Sequence, residues 1–241
     1  MWDLVRIALE DIQNCFGITE NLYEKYVEGE IKKDELLVPL IARRQNNFDW
    51  KVETRLGGAG TTLNGCVLYS LIRHFDMGTV IETGVAGGFY TLFMLAALKK
   101  NYPAKLVSLE LSDEKDEVGK LVPEELRLPF DGISGWDLRM GASSLEYFKT
   151  LKSLGAGHKA QLYSHDSLHT MEFMTKELLE FKQSQSNHFI VFFDDQMSES
   201  FWDRCLKMKL FDKKGFDVKC VSGQESRLRG HLGGFIQYKK V

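Results

Sequence analysis

Thr79-Val80-Ile81-Glu82-Thr83-Gly84-Val85-Ala86-Gly87-Gly88-Phe89-Tyr90-Thr91-Leu92 is the stretch on which the reading of the fold turns. Val80 and Ile81 read as the end of a buried strand. Gly84, Gly87 and Gly88 make a tight turn, and Thr91 to Leu98 reads as a helix. Such a turn lets the backbone approach a ligand closely and aims the free N–H groups of the helix start at it. This is the pattern of a nucleotide-type site in an α/β fold. A bare structural turn with chance glycines is the alternative. The spacing is not the G-x-G-x-x-G of a dinucleotide site, which makes an oxidoreductase a weak reading.

The rest of the chain continues the α/β alternation. Lys105 to Glu110 is a second strand ending in an acid, about 26 residues beyond Gly84, where a carboxylate can accept hydrogen bonds from both ribose hydroxyls. Ser112 to Glu117 is a charged helix start, and Leu121 to Gly135 a long connection. Trp136 to Met140 is a third strand, followed by Gly141-Ala142-Ser143-Ser144 and the helix Leu145 to Leu154. Ala160 to Asp166 is a fourth strand, with the helix Met171 to Phe181 behind it. Phe189 to Asp195 is a fifth, apolar as a buried parallel strand should be, and Ser198 to Leu206 is the next helix. Phe216 to Val221 and Gly234 to Tyr238 close the sheet as a hairpin-like pair with an antiparallel edge. The expected fold is therefore α/β and Rossmann-like: seven strands, mostly parallel, the last antiparallel, flanked by helices.

Residues 1–60 read as a helical N-terminal cap or lid, and 61–241 as the Rossmann-like domain. Trp2, Val5, Ala8 and Ile12 recur at helical spacing until Asn14 to Gly17 breaks it. Thr19 to Val27 is a second helix with Thr19 as N-cap, and Asp34 to Arg44 a third, interrupted by Pro39. Arg55 to Thr62 is a glycine-rich connection ahead of the helix Leu63 to Phe75. The helical faces offer a surface for a homo-oligomer; simple packing on the main core is the plainer alternative.

Composition narrows the function. At 241 residues, 44% hydrophobic and 27% charged, the chain fits one large domain or a domain plus a cap. A net charge of −3 argues against bulk capture of nucleic acid. No apolar run reaches membrane-span length, and Met1-Trp2-Asp3-Leu4 is not a secretory start. Cys15, Cys66, Cys205 and Cys220 form no C-x-x-C pair and read as reduced thiols in a cytoplasmic protein.

Three acids fall at the carboxyl edge of neighbouring strands, where ligands bind in open α/β sheets: Asp166, Asp194 and Asp195. Crowded carboxylates repel, and a divalent cation with a taste for hard oxygen, Mg²⁺ first, relieves that repulsion. Such a metal can chelate a substrate with vicinal hydroxyls and lower the pKa of one. His169, three residues past Asp166, is placed to take the hydroxyl proton. Helix capping by the acids, and a surface position for His169, are the plainer alternatives.

Glu82-x-Gly84-x-Ala86-x-Gly88 resembles the E/D-x-G-x-G-x-G pattern of class I S-adenosylmethionine-dependent methyltransferases, with Ala86 at the middle glycine. That cofactor has no pyrophosphate but carries an ammonium, which Glu82 can attract directly or through water. With Asp166-x-x-His169 and the doublet Asp194-Asp195, the chain from about Leu63 onward resembles the metal-dependent O-methyltransferases of sugars and small polyols. These include the macrolide-sugar and rhamnosyl O-methyltransferases and the cephalosporin-hydroxylase-like proteins. The doublet there is often Glu-Asp; here it is Asp-Asp. The resemblance implies S-adenosylmethionine and Mg²⁺ as cofactors and a small hydroxylated substrate, a sugar or glycosylated natural product. It implies Asp166, Asp194 and Asp195 as metal ligands, and His169 with Asp166 as the catalytic pair. The cofactor set is Glu82, Thr83, Gly84, Ala86, Gly88, Thr91, Glu110, Ala142, Ser143 and Asp166, with Ala142 and Ser143 against the adenine. A metal-independent N- or O-methyltransferase, or a non-catalytic cofactor-binding module, is the alternative.

Overall fold

A computed structural model describes the chain apart from residues 47–58, 102, 113–117, 128–134, 155–158, 186, 195–198 and 222–231. The chain begins with α1 (Trp2–Phe16), a π-helical turn (Tyr23–Glu28), a 3-10 turn (Ile31–Lys33), α2 (Leu37–Asn46) and α3 (Ala59–His74). Then follow β1 (Thr79–Thr83), α4 (Phe89–Lys99), β2 (Lys105–Glu110), α5 (Glu124–Arg127) and β3 (Gly135–Met140). After these come α6 (Ser144–Leu154), β4 (Leu162–His165), α7 (Met171–Ser184) and β5 (Phe189–Phe193). The remaining elements are α8 (Glu199–Lys207), β6 (Phe216–Val221) and β7 (Gly234–Lys240).

All seven strands form one sheet in the order β3-β2-β1-β4-β5-β7-β6. β1, β2, β3, β4 and β5 are mutually parallel; β7 runs antiparallel to both β5 and β6. The direction of winding reverses between β1 and β4, so a crevice opens there at the carboxyl ends of the strands. This is the expected fold, with the antiparallel strand slotted inside the edge rather than forming it.

Strand alternation builds two cores. Val80, Leu106, Leu162, Ile190 and Phe192 face a layer containing α1, α3 and α4. Ile81, Val107, Leu109, Tyr163, Val191 and Phe193 face α6, α7 and α8. The described N-terminal helices belong to the first layer: Val5, Leu9, Ile12, Leu22, Tyr26 and Ile31 are buried in the same cluster as Leu68 and Leu95.

Local chemistry explains where elements depart from expectation. α1 runs on through Asn14 to Phe16 and stops at Gly17, whose φ of 70° supplies a left-handed cap, its N–H bonded to Gln13 O. The second helix is a π-helical turn starting at Tyr23, not a helix from Thr19. Pro39 does not interrupt α2. It sits in the first turn, where no intrahelical partner awaits its missing N–H, and Asp34 Oδ1 accepts from Leu36 N and Leu37 N just ahead. The connection expected to reach Thr62 is already helical from Ala59; its residues 55–58 lie outside the described ones, as do 113–117 of the charged helix start.

α3 and α4 pack closely where Gly65 meets Phe93. A Cβ on Gly65 would stand 2.8 Å from the Phe93 ring, which is fully buried. Gly to Ala within a helix ordinarily gains about 1 kcal/mol. Overpacking a fixed ring costs about 1–3 kcal/mol. Gly65→Ala is therefore expected to lower the urea unfolding midpoint, and a raised midpoint would show that the two helices can part freely.

Candidate active site

The glycine turn owes its shape to three backbone positions. Gly84 has φ 78°, Ala86 φ 44° and Gly88 φ 83°. A Cβ on Gly84 would lie 1.8 Å from Asp166 O, so only glycine lets the turn pass beside the end of β4. Ala86, at the middle position of the motif, accepts the strain of a left-handed conformation with a side chain present, roughly 1 kcal/mol. Gly88 opens α4 and packs on Gly119. Gly119 N donates to Ala86 O and Leu121 N to Gly87 O, so the chain beyond β2 braces the turn from outside.

Beside the turn lies a cleft of about 350 Å³, within the range of small-molecule sites. Thr83, Gly84, Ala86, Glu110, Ala142 and Asp166 line it, all of them named from the sequence. Glu110, at the end of β2, accepts from Val85 N at 2.9 Å and Ala86 N at 3.3 Å on Oε2, and from Ser112 N at 3.0 Å on Oε1. Three amides hold this carboxylate at the cleft mouth, and Oε1 keeps acceptor capacity toward the cleft.

Three of the other candidates stand behind the wall. Glu82 is 1% exposed and does not line the cleft. Thr91 Oγ1 donates to both its oxygens at 2.9 Å, and Ser108 Oγ donates at 2.7 Å, itself receiving Trp136 Nε1 at 2.8 Å. Thr91 is buried with it, and Gly88 faces Gly119. Ser143 leads into α6, where Glu146 N lies 3.5 Å from its Oγ.

The acids at the far side of the switch point come together in part. His165 and Phe193 form the last paired rung of β4 and β5, so Asp166 and Asp194 leave neighbouring strands side by side, about 5 Å apart in the backbone. Asp166 N donates to Thr83 O and Asp194 N to His165 O. His169 Nε2 lies 3.6 Å from Asp166 Oδ1, both side chains about one-third exposed. Asp194 Oδ1 accepts from Tyr90 OH and from Asn64 Nδ2 at 3.3 Å. Burial and the nearby Asp194 and Asp166 charges hold the Tyr90 phenol well above its ordinary pKa. Asp195 lies outside the described residues. Among the described residues no three His, Cys, Asp or Glu side chains stand together as a metal set.

Sequence reading missed Leu111, Ser144, Ser167, Leu168 and Phe173, which also line the cleft. Ser144 and Ser167 directly follow named candidates, which is a usable signal. It also missed Tyr90 and Asn64. Both sit in apolar helical runs where nothing marks them as facing an acid across the sheet.

Comparison with known proteins adds the following. Residues 81–196, just under half of the chain, match a family model described as a methyltransferase domain. No curated protein matches the sequence. An O-methyltransferase from Bacillus cereus in complex with SAH superposes with TM-score 0.54 at 12% identity, covering 100% of both chains. A methyltransferase from Podospora anserina, bound to SAH, gives TM-score 0.57 at 14% identity, covering 93% of this chain and 97% of that one. A Streptomyces achromogenes O-methyltransferase involved in tomaymycin synthesis, in complex with SAM, gives 0.53 at 15% identity, with 73% and 79% covered. The fold is that of the class I methyltransferases.

Burial pushes the Glu82 carboxyl up to about 7 from 4.5, against the opposing pull of its Ser108 and Thr91 hydrogen bonds. An acid with a raised folded pKa keeps its proton longer in the native state, so stability falls as pH rises from 4.5 to about 7 and then levels off. The drop is on the order of 3 kcal/mol. Glu82→Gln should remove that slope, measured as the difference between variant and wild-type urea midpoints from pH 4.5 to 8. A pH-independent difference would mean that Glu82 titrates normally.

Proposed function

We propose that the methyltransferase domain formed around the glycine turn uses S-adenosylmethionine to methylate a hydroxyl of a small molecule, a sugar or glycosylated natural product, with Mg²⁺ assisting. The observation that carries this is the cleft between Gly84 and Glu110 at the switch point, with Asp166 and His169 at its far side. The cradle suits the cofactor. The turn can approach a ligand because Gly84 has no Cβ, and the Glu110 carboxylate is fixed by amides in the orientation that accepts ribose hydroxyls. When bound, S-adenosylmethionine supplies an electrophilic methyl group on a sulfonium.

The chain's own residues do the remaining work. Glu110 and the turn orient the ligand. Leu111 and Leu168 give the cleft apolar rims that shed water around the ligand. His169 takes the proton of the acceptor hydroxyl, and Asp166, 3.6 Å away, sets a negative charge beside the ring that receives it. Asp166 and Asp194, with Asp195, are the hard-oxygen donors that would hold Mg²⁺, which would polarise the acceptor oxygen.

A second reading, without metal, has its own observation. Asp194 Oδ1 already takes hydrogen bonds from Tyr90 and Asn64, the arrangement of a carboxylate held by protein donors.

Calorimetric titration with SAH should give micromolar binding to the wild type. His169→Ala should leave that affinity unchanged and cut methyl transfer to a polyol acceptor by about 10²–10⁴-fold. EDTA should abolish transfer and Mg²⁺ restore it; transfer that persists in EDTA selects the metal-free reading. A wild type that binds no SAH would sink both.

A further inference from the structure

A buried carboxylate that takes no part in the proposed chemistry gathers the cleft walls together. Glu177 of α7 is wholly buried. Its Oε1 accepts from Ser144 Oγ, at the start of α6. Its Oε2 accepts from Tyr163 OH at 2.9 Å, and Ser167 Oγ lies 3.4 Å away. His165 Nδ1 is 2.6 Å from the same oxygen, with the imidazole fully buried. Tyr163 OH in turn lies 3.3 Å from Thr83 Oγ1.

Ser144, Ser167 and Thr83 all line the cleft, and they come from three different strand ends, those of β3, β4 and β1. No backbone pairing links the segment after β3 to the segment after β4, because β2 and β1 lie between those strands. Glu177 spans that gap from underneath. A buried carboxylate is costly unless its acceptor sites are filled, and here the β3 and β4 sides both contribute donors. Parting the walls therefore strips donors from the charge.

We infer that Glu177 is a positioning residue that holds the β3-side and β4-side walls at the separation the ligand requires. This rests on the cofactor reading of the cleft. Ser144 closes one wall and Ser167 the other, and the residue beyond Ser167 leads to His169. One carboxylate thus sets both the ligand-facing wall and the approach of the proposed base.

The test compares Glu177→Met, which keeps length but accepts nothing, with Glu177→Gln, which keeps one oxygen. In the amide variant the Ser144 hydroxyl can turn round and accept, so most of the network survives. Tyr163→Phe removes one donor without touching the cleft lining and serves if Glu177→Met does not fold. Two quantities are read: the SAH dissociation constant, and amide hydrogen exchange of residues 141–147 and 165–170 in the unliganded protein. Glu177→Met should raise the dissociation constant about tenfold and accelerate exchange in both segments together, with Glu177→Gln within about threefold of wild type and Tyr163→Phe between them. A folded Glu177→Met, or failing that Tyr163→Phe, with wild-type affinity and exchange overturns the inference. A wild type that fails to bind SAH overturns the cofactor reading, and the inference with it.

Discussion

Everything at the carboxyl edge of the sheet depends on how closely the turn after β1 passes the end of β4. Gly84 presses on the Asp166 carbonyl with no room for a Cβ. The same contact line is stitched by Asp166 N donating to Thr83 O and by Gly84 N donating to Leu109 O. β1, β2 and β4 are thereby fixed to one another by backbone alone. Side chains inherit that frame. Glu110 can hold the turn's amides because the turn is already at hand, and Asp166 and Asp194 stand abreast because the β4–β5 register brings them there.

The site is built in two tiers. The upper tier is open to solvent: Glu110 and Asp166 line the cleft with the rims around them, and His169 stands beside Asp166. The lower tier is buried and carries acids too. Glu82 is satisfied by Thr91 and Ser108; Glu177 by Ser144, Tyr163 and His165. Glu82 ties α4 to β2 through Thr91 and Ser108, and Glu177 ties the start of α6 to β4 through Ser144 and Tyr163. The division is physical: side-chain hydroxyls and one imidazole satisfy the buried carboxylates, whereas backbone amides hold the exposed Glu110.

Much of the fold was legible because its signals are local. A strand, three glycines and an apolar helix specify the turn; acids at strand ends specify the edge. Six of the ten cofactor candidates do line the cleft for that reason. What stayed hidden depends on side-chain direction or on contacts far apart in the chain. Glu82 and Glu110 both read as strand ends, yet β1 runs on to Thr83 and pairs Glu82 with Ser108, two residues short of Glu110; Glu82 therefore lies deeper in the sheet, where it meets Thr91, while Glu110 reaches the mouth. Asn64 reaches Asp194 and Gly233 across the sheet, a meeting of residues from α3, the end of β5 and the start of β7 that no spacing announces. Pro39 misled in the other direction, since a proline ends a helix only when it lies beyond the first turn.

The placement of β7 between β5 and β6 governs the order in which the sheet can form. β6 is synthesised before β7 but pairs with it alone, so it emerges as a strand without a neighbour. Meanwhile β5, apolar on both faces, presents an open edge. Only when Phe235, Ile236 and Tyr238 slide into the gap do both strands find partners at once. From the synthesis of β5 until β7 follows, the growing chain therefore carries an exposed apolar edge, the condition under which nascent proteins engage chaperones or pair with one another. Closure by the last strand is also the moment when Gly233 reaches Asn64, so completion of the sheet and assembly of the polar cluster around Asp194 are a single event.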